Sequence, residues 1–206
     1  MVTQNSISKA QAKRFFDEAY SLAYLSKKRN KAWPQIKDLW ERAAQAGHTR
    51  AMFYLGTCYD FGLGTTKDIK LAFTWYLKAA KAGHRDAQFN VGFLYADEQF
   101  EMHDPKQQIR WYTLAAKAGL IDAQRDLGYA YFYGEGVKKD LKKAIHWYKR
   151  AAKNKDPKAY YNLGLCYELG EGVAQSNRWA KYYYQQANKL GHKKAAFKLK
   201  QLAAIR

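Results

Sequence analysis

Apolar residues return in this chain in a fixed order every 36 positions, without gaps. Ala51, Ala87, Ala123, Ala159 and Ala195 open the frame. Leu55-Gly56, Val91-Gly92, Leu127-Gly128 and Leu163-Gly164 follow in phase, then Tyr59, Tyr95, Tyr131 and Tyr167. Within each copy these positions fall at i, i+4 and i+8, one face of an α-helix. A second apolar set follows: Trp75-Tyr76, Trp111-Tyr112, Trp147-Tyr148 and Tyr183-Tyr184, then Ala79-Ala80, Ala115-Ala116, Ala151-Ala152 and a weaker fourth copy at Ala187. The pattern predicts two helices per unit. A looser copy precedes them, with Trp40, Ala43-Ala44 and Gly47-His48.

Breakers and caps fall where such a hairpin needs them. Gly62 and Gly64, Gly134 and Gly136, and Gly170 and Gly172 interrupt the chain after the first helix. Asp68, Asp104, Asp140 and Ser176 then share one position, each able to accept an orphan backbone N–H and start the second helix. Pro105 follows its cap, where a missing N–H costs nothing. Gly47, Gly83, Gly119 and Gly191 mark the second helix's end, with Lys155 standing in once. The repeated Gly and the Ala pair are expected to let two backbones approach, with Trp-Tyr filling the remaining space. One hairpin cannot bury its own apolar face, so successive units must stack. The expected organisation is a single domain over 1–206. It has a divergent unit at 1–50, repeats at 51–86, 87–122, 123–158 and 159–194, and a cap helix at 195–206. The first unit carries a basic linker, Lys27-Lys28-Arg29-Asn30-Lys31.

These motifs resemble the Sel1-like repeat family, relatives of the tetratricopeptide repeats. Residues 123–154 carry the likeness most fully: Ala123, Leu127-Gly128, Tyr131, Gly134-Glu135-Gly136-Val137, Asp140, Ala144, Trp147-Tyr148 and Ala151-Ala152. The resemblance implies an all-α fold, a right-handed α/α superhelical solenoid of 36-residue helix–turn–helix repeats. It also implies a non-enzymatic protein–protein interaction scaffold or adaptor. Residues 96–104, ADEQFEMHD, depart from the pattern by losing both loop glycines while keeping the length. That departure makes Glu98, Phe100 and Met102 candidates for a special role.

A helical wheel separates the faces of the first helix. The motif Ala, Leu and Tyr lie on the core side. The third, seventh and tenth positions lie opposite, and in tetratricopeptide arrays that side lines the concave surface. Here it carries Phe53, Phe89, Phe93, Arg125, Tyr129, Phe132, Tyr161 and Leu165, a candidate partner-binding face. The competing reading packs some of these aromatics between repeats.

Charge adds a second candidate surface. The chain has 36 Lys and Arg against 18 acids, and residues 137–206 hold 17 of the former against four of the latter. Such a field favours acidic partners, nucleic acid or anionic surfaces, although a solvated lysine-rich exterior accounts for it as well. Lys70, Lys106, Lys142 and Arg178 recur near the start of the second helices. That end of a helix disfavours cations, so the ladder has no local structural reason. The Lys81, Lys117, Lys153 and Lys189 ladder sits at the favourable end.

Candidate chemistry is sparse. His48, His84 and His192 belong to different turns and are not expected to converge on a metal. Cys58 and Cys166 share one repeat position and read as small packing residues rather than a disulfide. No cofactor, metal or catalytic residue is expected. No apolar run approaches the roughly 18 residues of a membrane span, and the N-terminal stretch lacks a secretion signal's apolar core. A cytoplasmic location is the expectation. The sequence thus points to a scaffold for a protein or peptide partner, an acidic one included. A nucleic-acid-binding solenoid and an immunity-type toxin inhibitor are the alternatives.

Overall fold

The computed structural model describes residues 7–25 and 32–204, and every regular element among them is helical. The basic linker at 27–31 lies outside the described residues, as do the last two residues of the expected cap helix. The helices are α1 (Lys9–Tyr20), which runs into a π-helical turn (Ser21–Leu25), α2 (Trp33–Gln45), α3 (Thr49–Phe61), α4 (Ile69–Lys81), α5 (Arg85–Ala96), α6 (Pro105–Lys117), α7 (Ile121–Tyr133), α8 (Leu141–Lys153), α9 (Pro157–Leu169), α10 (Asn177–Lys189) and α11 (Lys193–Ala204). They form two compact units, residues 1–94 and 95–206. In the first, α1 packs on α2, α2 on α3 and α3 on α4, around Phe16, Ile36, Trp40, Leu55 and Cys58. In the second, each helix from α6 to α11 packs on the next, over Ile145, Tyr148, Leu163, Cys166 and Tyr184.

Each expected cap is made. The carboxylates of Asp68, Asp104 and Asp140 and the Ser176 hydroxyl accept backbone N–H groups in the first turns of α4, α6, α8 and α10. A recurring bond then pins each hairpin. The N–H groups of Asp68, Asp104, Asp140 and Ser176 donate to the carbonyls of Tyr59, Tyr95, Tyr131 and Tyr167 at 2.8–2.9 Å. The cap residue therefore holds both the new helix and the end of the old one. Lys155 occupies the left-handed region at φ 61°, where its four counterparts are glycine.

Gly56, Gly128 and Gly164, inside their first helices, have a more specific reason than backbone approach. A Cβ on Gly128 would lie 2.6 Å from Tyr148 Cδ1, and Gly56 and Gly164 meet Tyr76 and Tyr184 in the same way. The motif Gly and Tyr are one packing unit, a ring laid flat on a bare helix backbone. In the loop, Gly136 combines φ +65° with a neighbour that cannot yield. A Cβ there would sit 2.4 Å from the carbonyl oxygen of Pro105, at the start of the previous second helix.

Candidate functional site

The third position of each repeat behaves differently from the expectation of a free aromatic face. The Phe53 ring stacks on His84 and the Tyr161 ring on His192, each at 4.5 Å between centroids. Phe16 stacks on His48 at the same distance. These histidines sit just before the next first helix. Nδ1 of His48 accepts from the Ala51 N–H at 3.2 Å, and Nδ1 of His84 from the Ala87 N–H at 3.3 Å. Phe53 and Tyr161 are therefore packing residues that cover a histidine in the following turn. The wheel places them opposite the core of their own helix, but the neighbouring repeat covers them. Phe89 is likewise partly buried.

Arg125 occupies that same position, with Asp156 where His84 and His192 stand. Its guanidinium donates to Asp122 at 2.6 Å, Asp126 at 2.8 Å and Asp156 at 3.3 Å. Asp156 also caps α9 through the Ala159 N–H at 2.6 Å. An ion pair here does the work of an aromatic–histidine stack. Burial opposes the Arg125 charge, but Asp126 and Asp122 outweigh it and hold its pKa above the ordinary value. Burial also raises the pKa of the Asp126 carboxyl, with Arg125 opposing. Arg125 already has three carboxylates, so it is not a free hand for an acidic ligand.

What stays open lies at the seventh and eleventh positions. In the first unit Phe93 is 60% exposed and Phe61 69%. In the second unit Tyr129, Tyr133 and Leu169 are 44–59% exposed, and they line a trough with Phe132, Tyr148, Asn162 and Leu165. The Tyr129 and Tyr133 rings lie 4.4 Å apart. Phe132 and Leu165 are half-buried and form its floor, packed on the second unit's core. Tyr129 and Asn162 are shared with an adjoining cleft of about 450 Å³ that adds Arg125, Asp126, Lys158, Tyr161, His192, Lys193 and Lys194. Helices α7, α9 and α11 thus present one apolar stretch that runs into a basic one. Sequence reasoning missed Tyr133 and Leu169. Their signal was present: residues 61, 97, 133 and 169 share the position just before the loop, and three of the four are large and apolar.

Several polar residues prove to be structural. Tyr76 donates its hydroxyl proton to Asp60 at 3.2 Å, and Tyr184 donates to Glu168, which also pairs with Lys198 at 3.0 Å. Buried Gln88 and Gln124 donate through Nε2 to the carbonyls of Ala80 and Ala116, near the ends of the preceding helices. In the glycine-free loop Phe100 is buried, and Asp97 builds the turn by accepting from the Gln99 and Phe100 N–H groups. Phe100 therefore plugs the fold, whereas Glu98 and Met102 face solvent. Lys70, Lys106, Lys142 and Arg178 are all exposed.

Cys58 and Cys166 are free and buried, and burial pushes both thiols up to about 12, which suppresses the nucleophilic thiolate. Among the described residues, no group of three His, Cys, Asp or Glu side chains is placed to hold a metal ion. No helix among them is long and apolar enough to cross a membrane. The first unit has a larger cleft, about 640 Å³, lined by Lys9, Lys13, Asp17, His48 and Arg50. Its aromatic floor, Phe16, is already covered by His48 and the Arg50 guanidinium.

Residues 49–84, 85–120, 121–156 and 157–192 match the Sel1 repeat family. No curated protein matches the chain. Among solved structures, c5321, a protective antigen of uropathogenic Escherichia coli displaying an SLR fold, is 31% identical over 91% of this chain, with a TM-score of 0.87. This chain spans 40% of that protein's length. A Sel1 repeat protein from Oxalobacter formigenes is 30% identical with a TM-score of 0.77, covering 95% of this chain and 78% of the relative. Immunity protein Pa5087 from Pseudomonas aeruginosa is 26% identical with a TM-score of 0.54, covering 91% of this chain and 69% of its own. With four contiguous repeats matched over most of its length, the chain belongs to the Sel1 repeat family.

Proposed function

We propose that this protein is a non-catalytic binding scaffold that holds a protein or peptide partner on the face shared by α7 and α9. Sel1 repeat proteins are generally protein-interaction scaffolds. The observation that carries the reading here is the contiguous, solvent-facing set Tyr129, Tyr133 and Leu169 over the half-buried floor of Phe132 and Leu165. Large apolar groups left in water side by side favour being covered, and aromatic anchors of this kind supply most of the energy of protein interfaces. Phe93 on α5, in the first unit, is a separate exposed aromatic. The likeness to Pa5087 favours one form of it, in which the partner is a toxin that the scaffold blocks.

The test compares affinity purification from the native host using the wild-type chain and the Tyr129→Ser/Tyr133→Ser/Leu169→Ser variant. These side chains are exposed, so helicity should be unchanged, which circular dichroism checks. Loss of two or three anchors should weaken a specific partner on the order of 10–100-fold. A partner retained equally by the variant, or recovery of nucleic acid alone, refutes the reading.

A further inference from the structure

The charge beside the trough narrows the partner. The ends of α8 and α10, the turns that follow them and the first turns of α9 and α11 carry Lys153, Lys155, Lys158, Lys189, Lys193 and Lys194. Their one acid, Asp156, is occupied by Arg125 and by the α9 cap. Lys158, Lys193 and Lys194 line the cleft, are exposed, and make no ion pair among the described residues. Helix N-termini already carry partial positive charge and are stabilised by acids, not lysines. Neither α9 nor α11 has an acid in its first turn. The fold therefore sums two helix ends and three ammonium groups without a direct ion pair at one end of an apolar trough, with Asp126 offsetting part of the Lys158 charge. Asp126 is the one acid that lines the cleft, and even with Asp122 and Asp156, which also pair with Arg125, the four cations exceed the three acids.

We propose that the occupant of this groove is an acidic segment of a protein partner, its carboxylates over Lys158, Lys193 and Lys194 and a large apolar side chain between Tyr133 and Leu169. This rests on the groove reading above and specifies its partner. The geometry sets a spacing. Lys158 and Leu169 are eleven residues apart on α9 and project on nearly the same face, so the two halves lie about 16 Å apart along the helix. An extended ligand spans that with about five residues between carboxylate cluster and apolar anchor. Charge alone does not need the trough, and an apolar ligand alone does not need the lysines. The two together select a composition and a spacing.

The test is display of random 12-residue peptides against the full chain, with selected peptides synthesised and measured by fluorescence anisotropy. The expected peptides carry two or more Asp or Glu and an apolar residue about five positions away. They should lose at least tenfold in affinity both to Lys158→Glu/Lys193→Glu/Lys194→Glu and to Leu169→Ser. Peptides that need Leu169 but are not acidic and ignore the lysine variant would overturn this inference and leave the groove intact. Peptides indifferent to Leu169→Ser, or none selected, would count against the groove as well. Capture of a 20-nucleotide homopolymeric RNA through the same lysines, without any peptide, would reassign the basic end and overturn the proposal.

Discussion

Replacing Gly128 by alanine isolates the contact on which each hairpin closes. The new methyl would lie 2.6 Å from Cδ1 and 2.7 Å from Cε1 of Tyr148. Carbon atoms ordinarily rest about 3.5–4.0 Å apart, so the ring must move by about 1 Å. Tyr148 is 2% exposed, in a core with Ala152, Leu163 and Cys166, and has little room to do so. Overpacking of this kind costs about 1–3 kcal/mol. The better helix propensity of alanine offsets about 1 kcal/mol. A net loss centred near about 1 kcal/mol should lower the Tm by roughly 2–4 °C. Thermal and urea unfolding followed at 222 nm measure it, and amide exchange should place the weakening in α7 and α8. The control is the same substitution beside Tyr148→Leu. With the ring gone the penalty should disappear, leaving a positive coupling energy in the double-mutant cycle. An unchanged or higher Tm for Gly128→Ala alone, or an equal penalty in both backgrounds, would refute the ring-on-glycine account.

Three further expectations follow from the turns. His48 and His84 cap through a neutral Nδ1, and desolvation, joined at His48 by Arg50 and partly opposed at His84 by Asp86, lowers both pKa values below 6.5. A depressed histidine means that the unfolded chain binds more protons, so stability should be intact above pH 6.5 and fall as pH drops below it. The Tm difference between pH 7.5 and 5.5 should shrink in His48→Asn/His84→Asn, which keeps a cap acceptor, and an unchanged difference would discount these histidines. Lys155→Gly relieves a left-handed non-glycine residue and should stabilise by about 1 kcal/mol in urea unfolding; destabilisation would show that Lys155 makes a compensating contact. Asp156→Ala removes the α9 cap and one partner of the partly buried Arg125, and should cost about 1–3 kcal/mol, more than Asp140→Ala, whose carboxylate only caps and meets an exposed lysine.

The repeat frame was legible because its signals are local. Helix faces, the Asp68, Asp104 and Asp140 caps, the terminal glycines and the left-handed Lys155 all follow from spacing and residue type. What was not legible depends on the next repeat. A wheel says that Phe53 and Tyr161 point away from their own core, but not that His84 and His192 arrive from the following turn to cover them. Nor does it show that Arg125 and Asp156 replace that stack with an ion pair, since no single helix contains both residues. Phe100 looked like a candidate contact because its loop lacks glycine; burial shows that the side chain is what fills the space. Tyr133 and Leu169 escaped attention because they fall in the last turn before the breaker, outside the positions taken as the outward face. Their 36-residue recurrence with Phe61 is the pattern that would have found them.

Site-specific photocrosslinking in the native host tests the central claim most directly. A benzophenone amino acid replaces Tyr133 in the groove or, in a separate chain, Lys149 on the exposed face of α8. The account predicts a discrete polypeptide adduct from position 133 that is lost on adding Leu169→Ser, and none from position 149. An adduct formed only from position 149, or one to RNA rather than protein, would contradict it.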